Sequence, residues 1–148
     1  MSLYRELKDK HQNEFNEFPI FFAYNDKQFE EGMAKFGLTK FDVKEIYKLS
    51  DMGGYYRRTD SAKLHEMFER HEKEMQDAVD ADTTGEGFIY DMFNYELANH
   101  EFIITGDVSY TLKMLGLTED EVVNNESLRH GLELAIKNQY EYYRQNKE

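Results

Sequence analysis

Apolar residues recur every three or four positions along most of the chain, which is the spacing of one helix face. Leu3, Leu7 and Phe15 predict a helix over residues 2–15. The same spacing predicts helices over residues 25–36, 59–80, 88–99, 107–115 and 126–144. On the last of these, Leu132, Ile136 and Tyr143 form the stripe that we expect to face the core.

Short runs of apolar and aromatic residues predict strands over residues 18–24, 45–50, 54–58 and 100–105. These strands and the helices do not follow a regular βαβ order. We therefore expect an α+β fold with a small three- to four-stranded, mainly antiparallel sheet covered by about five to seven helices. No linker rich in Pro, Ser or Gly divides the chain, which predicts a single domain over residues 1–148.

Residues 21–39 and 102–118 share one order of features: an apolar run, an acidic cap, a helix, Gly-Leu-Thr and a second cap. Two explanations remain open. The chain contains two related strand–helix units, or the same capping chemistry occurs twice.

Acidic residues dominate the charge, with 30 Asp and Glu against 18 Lys and Arg and a net charge of −12. Residues 60–101 hold 12 of the acids and only three bases. Nucleic-acid and anionic-membrane binding need a basic patch, so we expect neither partner. The acidic segment is typical of a solvated helix face, a cation site or a surface for a basic partner.

Cysteine is absent, which excludes disulfides, thiolate zinc sites and cysteine nucleophiles. No apolar run approaches the roughly 20 residues of a membrane-spanning helix. The first residues do not resemble a signal peptide. We therefore expect a cytoplasmic protein without a cofactor.

The loop after the long helix resembles a calcium-binding EF-hand loop over twelve residues. Asp80, Asp82, Thr84 and Asp91 stand at loop positions that supply oxygen ligands, and Gly85 stands at the sharp turn. The loop departs from that pattern in having Asp rather than Glu at its last position. An acidic connection between two helices explains the same residues without a metal.

A second metal hypothesis involves Glu96, His100 and Glu101. Glu96 and His100 are four residues apart, so on a continuing helix their side chains share a face and can meet one ion. The alternative is that His100 interacts with the last carbonyl groups of the helix.

Tyr55, Tyr56, Arg57 and Arg58 form the one compact basic segment, next to the start of a predicted helix. Paired arginines and free backbone amides favour an anion, and a tyrosine can stack on a ring, so these residues are candidates for an anion or ligand site. A hairpin whose arginines pair with nearby acids is the alternative.

Residues 22–32, 53–58 and 95–101 resemble a group of small uncharacterised acidic proteins from gut bacteria and their phages. The resemblance covers most of the chain and brings no activity or catalytic residue. It implies a phage or mobile-element context, in which small acidic proteins bind host proteins and sometimes imitate the charge of DNA.

Serine-hydrolase, phosphate-loop and dinucleotide motifs are missing, so we predict a non-enzymatic protein that binds a basic partner through residues 60–101. Metal binding at residues 80–91 is one alternative. A small enzyme or anionic-ligand binder using Arg57, Arg58, His100 and Glu101 is another. Tyr140 and Tyr142 lie off the core stripe of the last helix, which favours a homodimer through that helix or the hairpin at 45–58.

Overall fold

The computed structural model of this chain describes residues 2–49 and 53–146, and it confirms the α+β class. In these ranges the chain forms eight α-helices and three β-strands. The α-helices are α1 (Leu3–Glu17), α2 (Asp26–Lys35), α3 (Ser61–Ala81), α4 (Phe88–Asn99), α5 (Phe102–Thr105), α6 (Ser109–Met114), α7 (Glu119–Val123) and α8 (Glu126–Gln145). The strands are β1 (Ile20–Phe22), β2 (Ile46–Leu49) and β3 (Gly54–Arg57).

The chain divides into two compact units. The first, which we call the helical unit, combines Met1–Lys10 with Glu74–Glu148, and the second, the sheet unit, is His11–Lys73. Helices α1 and α3 each contribute residues to both. The single domain expected over residues 1–148 stays a prediction.

The sheet unit is built on an antiparallel sheet in the order β1-β3-β2, with Tyr56 opposite both Ile20 and Tyr47. Neighbouring residues of a strand point to opposite faces. Tyr55 accordingly packs against Phe21 and the α2 residues on one face, whereas Tyr56 packs with Leu64 and the other α3 residues on the other. Both tyrosines therefore serve the core of this unit. Ser50 to Met52, which include the end of the strand predicted over residues 45–50, lie outside the described residues.

Glu14 joins α1 to α3 inside the sheet unit. Its carboxylate accepts hydrogen bonds from both Arg70 Nη atoms, with Nη1 at 3.0 Å, and lies 2.6 Å from His71 Nε2. The hydrogen bonds from Arg70 and then from His71 lower the pKa of Glu14 to about 2. The imidazole of His71 in turn stacks on that of His11, with ring centroids 3.9 Å apart.

The core of the helical unit lies between α4 and α8. Phe93 and Leu97 on α4 are fully buried, and Leu128 and Ala135 face them from α8. The two backbones come close at Gly131, where an added Cβ would lie 2.5 Å from Ile89 Cγ2 and 2.6 Å from the Gly85 carbonyl oxygen. Only glycine fits this crossing without displacement of α8.

The predicted strand at residues 100–105 is wrong, because this segment forms a short turn and then the single-turn helix α5. Glu101 adopts a left-handed conformation (φ 56°) that ends α4, and Gly106 (φ 66°) ends α5. Phe102 is buried with its ring 5.6 Å from that of Tyr140 on α8. The apolar run thus packs on a helix and has no β partner, so residues 102–118 do not repeat the strand–helix order of residues 21–39.

Two further findings concern the core stripe of α8 and the apolar character of the helices. Tyr143, expected in the core stripe of α8, is 48% exposed, and the last buried position of the stripe is Gln139. Among residues 2–49 and 53–146, none of the helices combines the length and apolar character that crossing a bilayer requires.

Candidate functional site

A cleft of about 590 Å³ opens in the helical unit above the buried side chain of Glu96. Its volume lies within the range of roughly 300–1,000 Å³ typical of small-molecule sites. Every part of its lining comes from this one unit. Polar side chains that line it are Tyr4, Lys8, Gln76, Glu96, Asn99, His100, Glu121 and Asn125.

Glu96 lies on the buried side of α4 and is only 4% exposed. Its Oε2 atom accepts a hydrogen bond from the Tyr4 hydroxyl and another from Lys8 Nζ at 2.8 Å. Its Oε1 atom is held less closely, since Asn99 Nδ2 is at 3.4 Å and His100 Nε2 at 3.6 Å. The carboxylate is thus paired strongly through one oxygen and weakly through the other.

Tyr4 is fixed as a hydrogen-bond donor in this arrangement. Burial, together with the hydrogen bond to Glu96 and the negative charge of that carboxylate, raises the pKa of Tyr4 well above its ordinary value. The hydroxyl therefore keeps its proton at any physiological pH. Its ring packs edge-on against Phe88, with centroids 5.7 Å apart, so α1 is anchored to α4 by both contacts.

Lys8 is also committed to this group. Beyond its ion pair with Glu96, its Nζ atom lies 4.9 Å from the centre of the Tyr95 ring, within cation–π distance. The charge of Lys8 is therefore compensated on two sides by residues of α4.

Apolar side chains make the rest of the cleft, and three of them are methionines. The apolar lining consists of Met75, Val79, Met92, Met114, Leu115, Leu117 and Leu128. Methionine has three rotatable bonds and a polarisable sulfur, so a surface rich in it adapts to ligands of different shape. The cleft walls are therefore suited to apolar ligand groups of different shapes.

The structure brings together two of the three residues predicted around the end of α4. Glu96 and His100 both line the cleft, whereas Glu101 belongs to a separate, smaller groove formed with Phe102, Tyr142 and Tyr143. Within the described ranges, no three His, Asp or Glu side chains are grouped so as to hold a metal ion. Metal binding by Glu96, His100 and Glu101 stays a prediction.

The loop between α3 and α4 is organised around Asp82. Its carboxylate accepts hydrogen bonds from the backbone amides of Gly85, Gly87 and Ile89, at 3.0–3.1 Å, and from the Thr84 hydroxyl at 3.2 Å. Burial alone would raise the pKa of Asp82, but these bonds lower it below the ordinary value. Asp82 therefore caps the start of α4.

The other two predicted calcium ligands lie on helices. Asp80, near the end of α3, accepts a hydrogen bond from Gln76 at 2.9 Å, and Asp91 lies in the first turn of α4. Calcium binding by this loop stays a prediction. Calorimetry with millimolar Ca²⁺ tests it, and a flat titration contradicts it.

Arg57 and Arg58 belong to the sheet unit, whereas His100 and Glu101 belong to the helical unit. Arg57 Nε donates to Asp60 at 3.0 Å, and its guanidinium lies 5.0 Å from the centre of the Phe36 ring. The guanidinium of Arg58 lies 5.8 Å from the Tyr47 ring. Anion binding by Tyr55, Tyr56, Arg57 and Arg58 stays a prediction.

The predicted homodimer also stays a prediction. Tyr140, Tyr142 and Tyr143 on α8 are all exposed, as is Ile104 on α5. Light scattering at micromolar concentration tests it. A mass near 17.7 kDa that does not change as the protein is concentrated contradicts it.

Comparison with known families gives a match for this chain. Residues 3–138 match a family described as a family of unknown function (DUF7659). The chain belongs to the DUF7659 family. No curated protein and no solved structure matches the chain. Membership of DUF7659 brings no activity, but every residue that lines the cleft lies within the matched residues.

Sequence reasoning missed Tyr4 and Lys8. They stand 92 and 88 positions from Glu96 along the chain, and nothing in the local pattern of residues 2–15 distinguishes them from surface residues of a helix. The sequence contained one weak signal, because Glu96 lies beside the apolar stripe of α4 and can therefore be buried with it. A buried glutamate requires a partner elsewhere.

Proposed function

We propose that this member of the DUF7659 family is a small-molecule-binding protein whose ligand occupies the cleft above Glu96. The observation that carries the proposal is a glutamate side chain only 4% exposed at a cleft whose lining combines methionine and leucine side chains with other polar groups. Ligand sites combine apolar walls with a few polar groups that fix orientation. Catalysis is not required by this arrangement.

A purely structural role for Glu96 is the competing explanation. Removing a carboxylate from water costs several kcal/mol unless its partners are nearly ideal, and an apolar residue often serves stability as well or better. Here the partners of Oε1 are at 3.4 Å and 3.6 Å, which leaves that oxygen undersatisfied. A ligand donor that completes its bonding accounts for the burial.

Methionine methyl groups provide the test. Met75, Met92 and Met114 line the cleft, whereas Met33 and Met67 are buried in the sheet unit and serve as internal controls. Protein labelled with ¹³C at the methionine methyl groups is titrated with a mixture of small compounds that each combine one ring with one hydrogen-bonding group. We expect shifts of the three cleft methyl resonances and none of the two control resonances.

A variant that narrows the cleft gives the matched control. Met114→Trp enlarges a lining side chain and is expected to weaken binding, as reported by Met75 and Met92. Val123→Trp enlarges an exposed side chain that does not line the cleft, and it should leave binding unchanged. Equal shifts at all five methionines, or none at millimolar concentration, would contradict the proposal.

The acidic segment at residues 60–101 supports a second candidate function, binding of a basic protein partner. Its side chains Glu69, Glu72, Asp77 and Asp80 are exposed, and its three bases are far fewer than its acids. Such binding weakens as salt rises. Pull-down from a lysate at low and at high salt tests this, and retention that does not depend on salt contradicts it.

We further propose a cytoplasmic protein of phage or mobile-element origin. The resemblance of residues 22–32, 53–58 and 95–101 to proteins of gut bacteria and phages supports this origin. A host protein is then the natural basic partner, and imitation of DNA requires carboxylates spaced like duplex phosphates. Sequencing the genes that flank this one tests the origin, since a neighbourhood without phage or mobile-element genes contradicts it.

A further inference from the structure

We propose that the ligand of this cleft is an organic cation, in which a protonated amine is attached to an apolar body. This inference rests on the proposed function and specifies its chemistry. The amine contacts Glu96 Oε1, and the apolar body lies against the methionine and leucine walls. Three observations lead to it: the net negative charge of the helical unit, the hydrogen bonds of the Glu96 carboxylate, and the ion pair that Lys8 already forms with Glu96.

Most of the net charge of the chain belongs to the unit that contains the cleft. The helical unit contains 18 acids and 8 bases, so it holds −10 of the net charge of −12. A cleft in a unit of one sign concentrates ligands of the opposite sign. An anionic ligand would enter this cleft against the field of the whole unit.

The carboxylate of Glu96 has capacity for one more donor. A carboxylate oxygen has two lone pairs, and those of Oε2 are used by Tyr4 and Lys8. The contacts of Oε1 are longer than a good hydrogen bond to an ionised oxygen, which is about 2.7–2.9 Å. A ligand ammonium group supplies three donors and a full positive charge, which is the strongest partner that this oxygen can take.

The two bases of the cleft both lie beside the carboxylate of Glu96. Lys8 is paired with Glu96 at 2.8 Å and lies against the Tyr95 ring, so its positive charge is already compensated before an anion approaches. His100, the other base in the lining, has its Nε2 atom on the carboxylate side at 3.6 Å. At the rim, Glu121 adds a further negative charge.

The remaining surface determines what the amine is attached to. Met75, Met92 and Leu128 form an apolar region that a ring or a branched chain can cover. Sulfur atoms make favourable contacts with aromatic rings at about 5 Å. An arylalkyl ammonium compound therefore has the minimum features that this cleft recognises.

Three matched probes test the inference on the unmodified protein: 2-phenylethylammonium, 3-phenylpropionate and 2-phenylethanol. They share a ring and a short chain and differ mainly in charge. Each is titrated separately at pH 7 and low ionic strength, with the Met75, Met92 and Met114 methyl resonances as the readout. We expect the ammonium compound to bind at least about tenfold more tightly than the other two, the factor expected for a charge-assisted hydrogen bond.

Two variants locate the charge that matters. Glu96→Gln keeps the shape of the side chain and should weaken the ammonium compound by about tenfold or more. Glu133→Gln removes the same charge from an exposed position of α8 that does not line the cleft, and it should change affinity by less than about twofold because solvent screens it.

The outcomes separate the two proposals. If the phenylpropionate or the alcohol binds as tightly as the ammonium compound, the inference is overturned while the small-molecule function stands. The same conclusion follows if Glu96→Gln, whose helical unit is folded as judged by the Met92 methyl resonance of the ligand-free variant, binds the ammonium compound with unchanged affinity. If none of the three probes shifts the cleft resonances at millimolar concentration, the inference fails together with the proposed function.

Discussion

Substitution of Gly131 by alanine tests the close approach of α4 and α8. In an isolated helix this change stabilises by about 1 kcal/mol, because glycine is the weaker helix former. In the folded protein the new methyl group would lie 2.5 Å from Ile89 Cγ2 and 2.6 Å from the Gly85 carbonyl oxygen. Restoring ordinary contact requires α8 to move by about 1 Å, and the core has no spare room for that movement.

The balance of these two effects has a definite sign. Overpacking of a well-filled core costs about 1–3 kcal/mol, and an obstacle that cannot rotate away places the cost at about 2–3 kcal/mol, which exceeds the helix-forming gain of about 1 kcal/mol. The obstacle includes a backbone carbonyl, so no rotation of a side chain relieves it. We expect Gly131→Ala to lower the free energy of unfolding of the helical unit by about 1–2 kcal/mol.

Urea denaturation followed through the Met92 methyl resonance measures this change, because Met92 is buried in the helical unit. Met33, buried in the sheet unit, reports whether that unit is affected. Glu133→Ala, at an exposed position in the same helix, is the control and should change stability by less than about 0.5 kcal/mol. A Gly131→Ala protein as stable as the unmodified chain, or more so, would refute the close approach of the two helices.

Three further predictions concern single polar groups. Asp82→Ala should lower the free energy of unfolding by about 1 kcal/mol through loss of the α4 cap. The folded pKa of Asp82 lies below the unfolded value of about 3.9, so the contribution of its carboxylate to the free energy of unfolding is complete above that pH and is lost as the pH falls through the folded pKa. Urea midpoints measured from pH 6 downward should show this loss. Equal midpoints for the variant and the unmodified protein at pH 6 would contradict the cap. Tyr4→Phe should cost about 1.5–3 kcal/mol by denaturation, because it removes a hydrogen bond to the charged Glu96, and a cost below about 0.5 kcal/mol would contradict that bond. The Glu14 carboxyl should titrate near its pKa of about 2 in ¹³C NMR, and Arg70→Ala should raise that pKa; an unchanged value in the variant would show that Arg70 does not hold the charge.

The helices and caps that are determined by neighbouring residues in the sequence were predicted closely. The apolar spacing of residues 88–99 defined α4 at both ends. The second cap predicted at the end of residues 102–118 is present as a capping box, with the Thr118 hydroxyl accepting from the Glu121 amide and the Glu121 carboxylate accepting from the Thr118 amide. These features depend on residues within one or two turns, so the sequence contains all the information that determines them.

The prediction failed where a contact distant in sequence decided the structure. Residues 102–105 are as apolar as a strand, but β1, β2 and β3 form a sheet of their own in the other unit, and burial of Phe102 beside Tyr140 favours a helical turn. On α8, Gln139 occupies a buried position because its amide bonds to Asn94. Neither partner could be identified from local spacing.

The candidate site shows the same limit. The spacing of Glu96 and His100 brings both to one side of the end of α4, although the helix ends at Asn99 and does not continue through His100. The cleft itself requires segments from α1, α3, α4 and the region of α6 to α8. Tyr4 and Lys8 gain their roles only through this assembly.

The helical unit is built from two separate segments of the chain, and this affects when its parts can pack together during synthesis. Tyr4 emerges from the ribosome long before Glu96 and Leu128, which complete its surroundings. At 5–20 residues per second the interval from Tyr4 to Leu128 lasts roughly 6–25 s. Within that time His11–Lys73 is completed and can fold, while the side chains of Tyr4 and Leu7 still lack the apolar surface that buries them. A nascent chain arrested before Glu96 therefore presents this first segment as a binding site for chaperones.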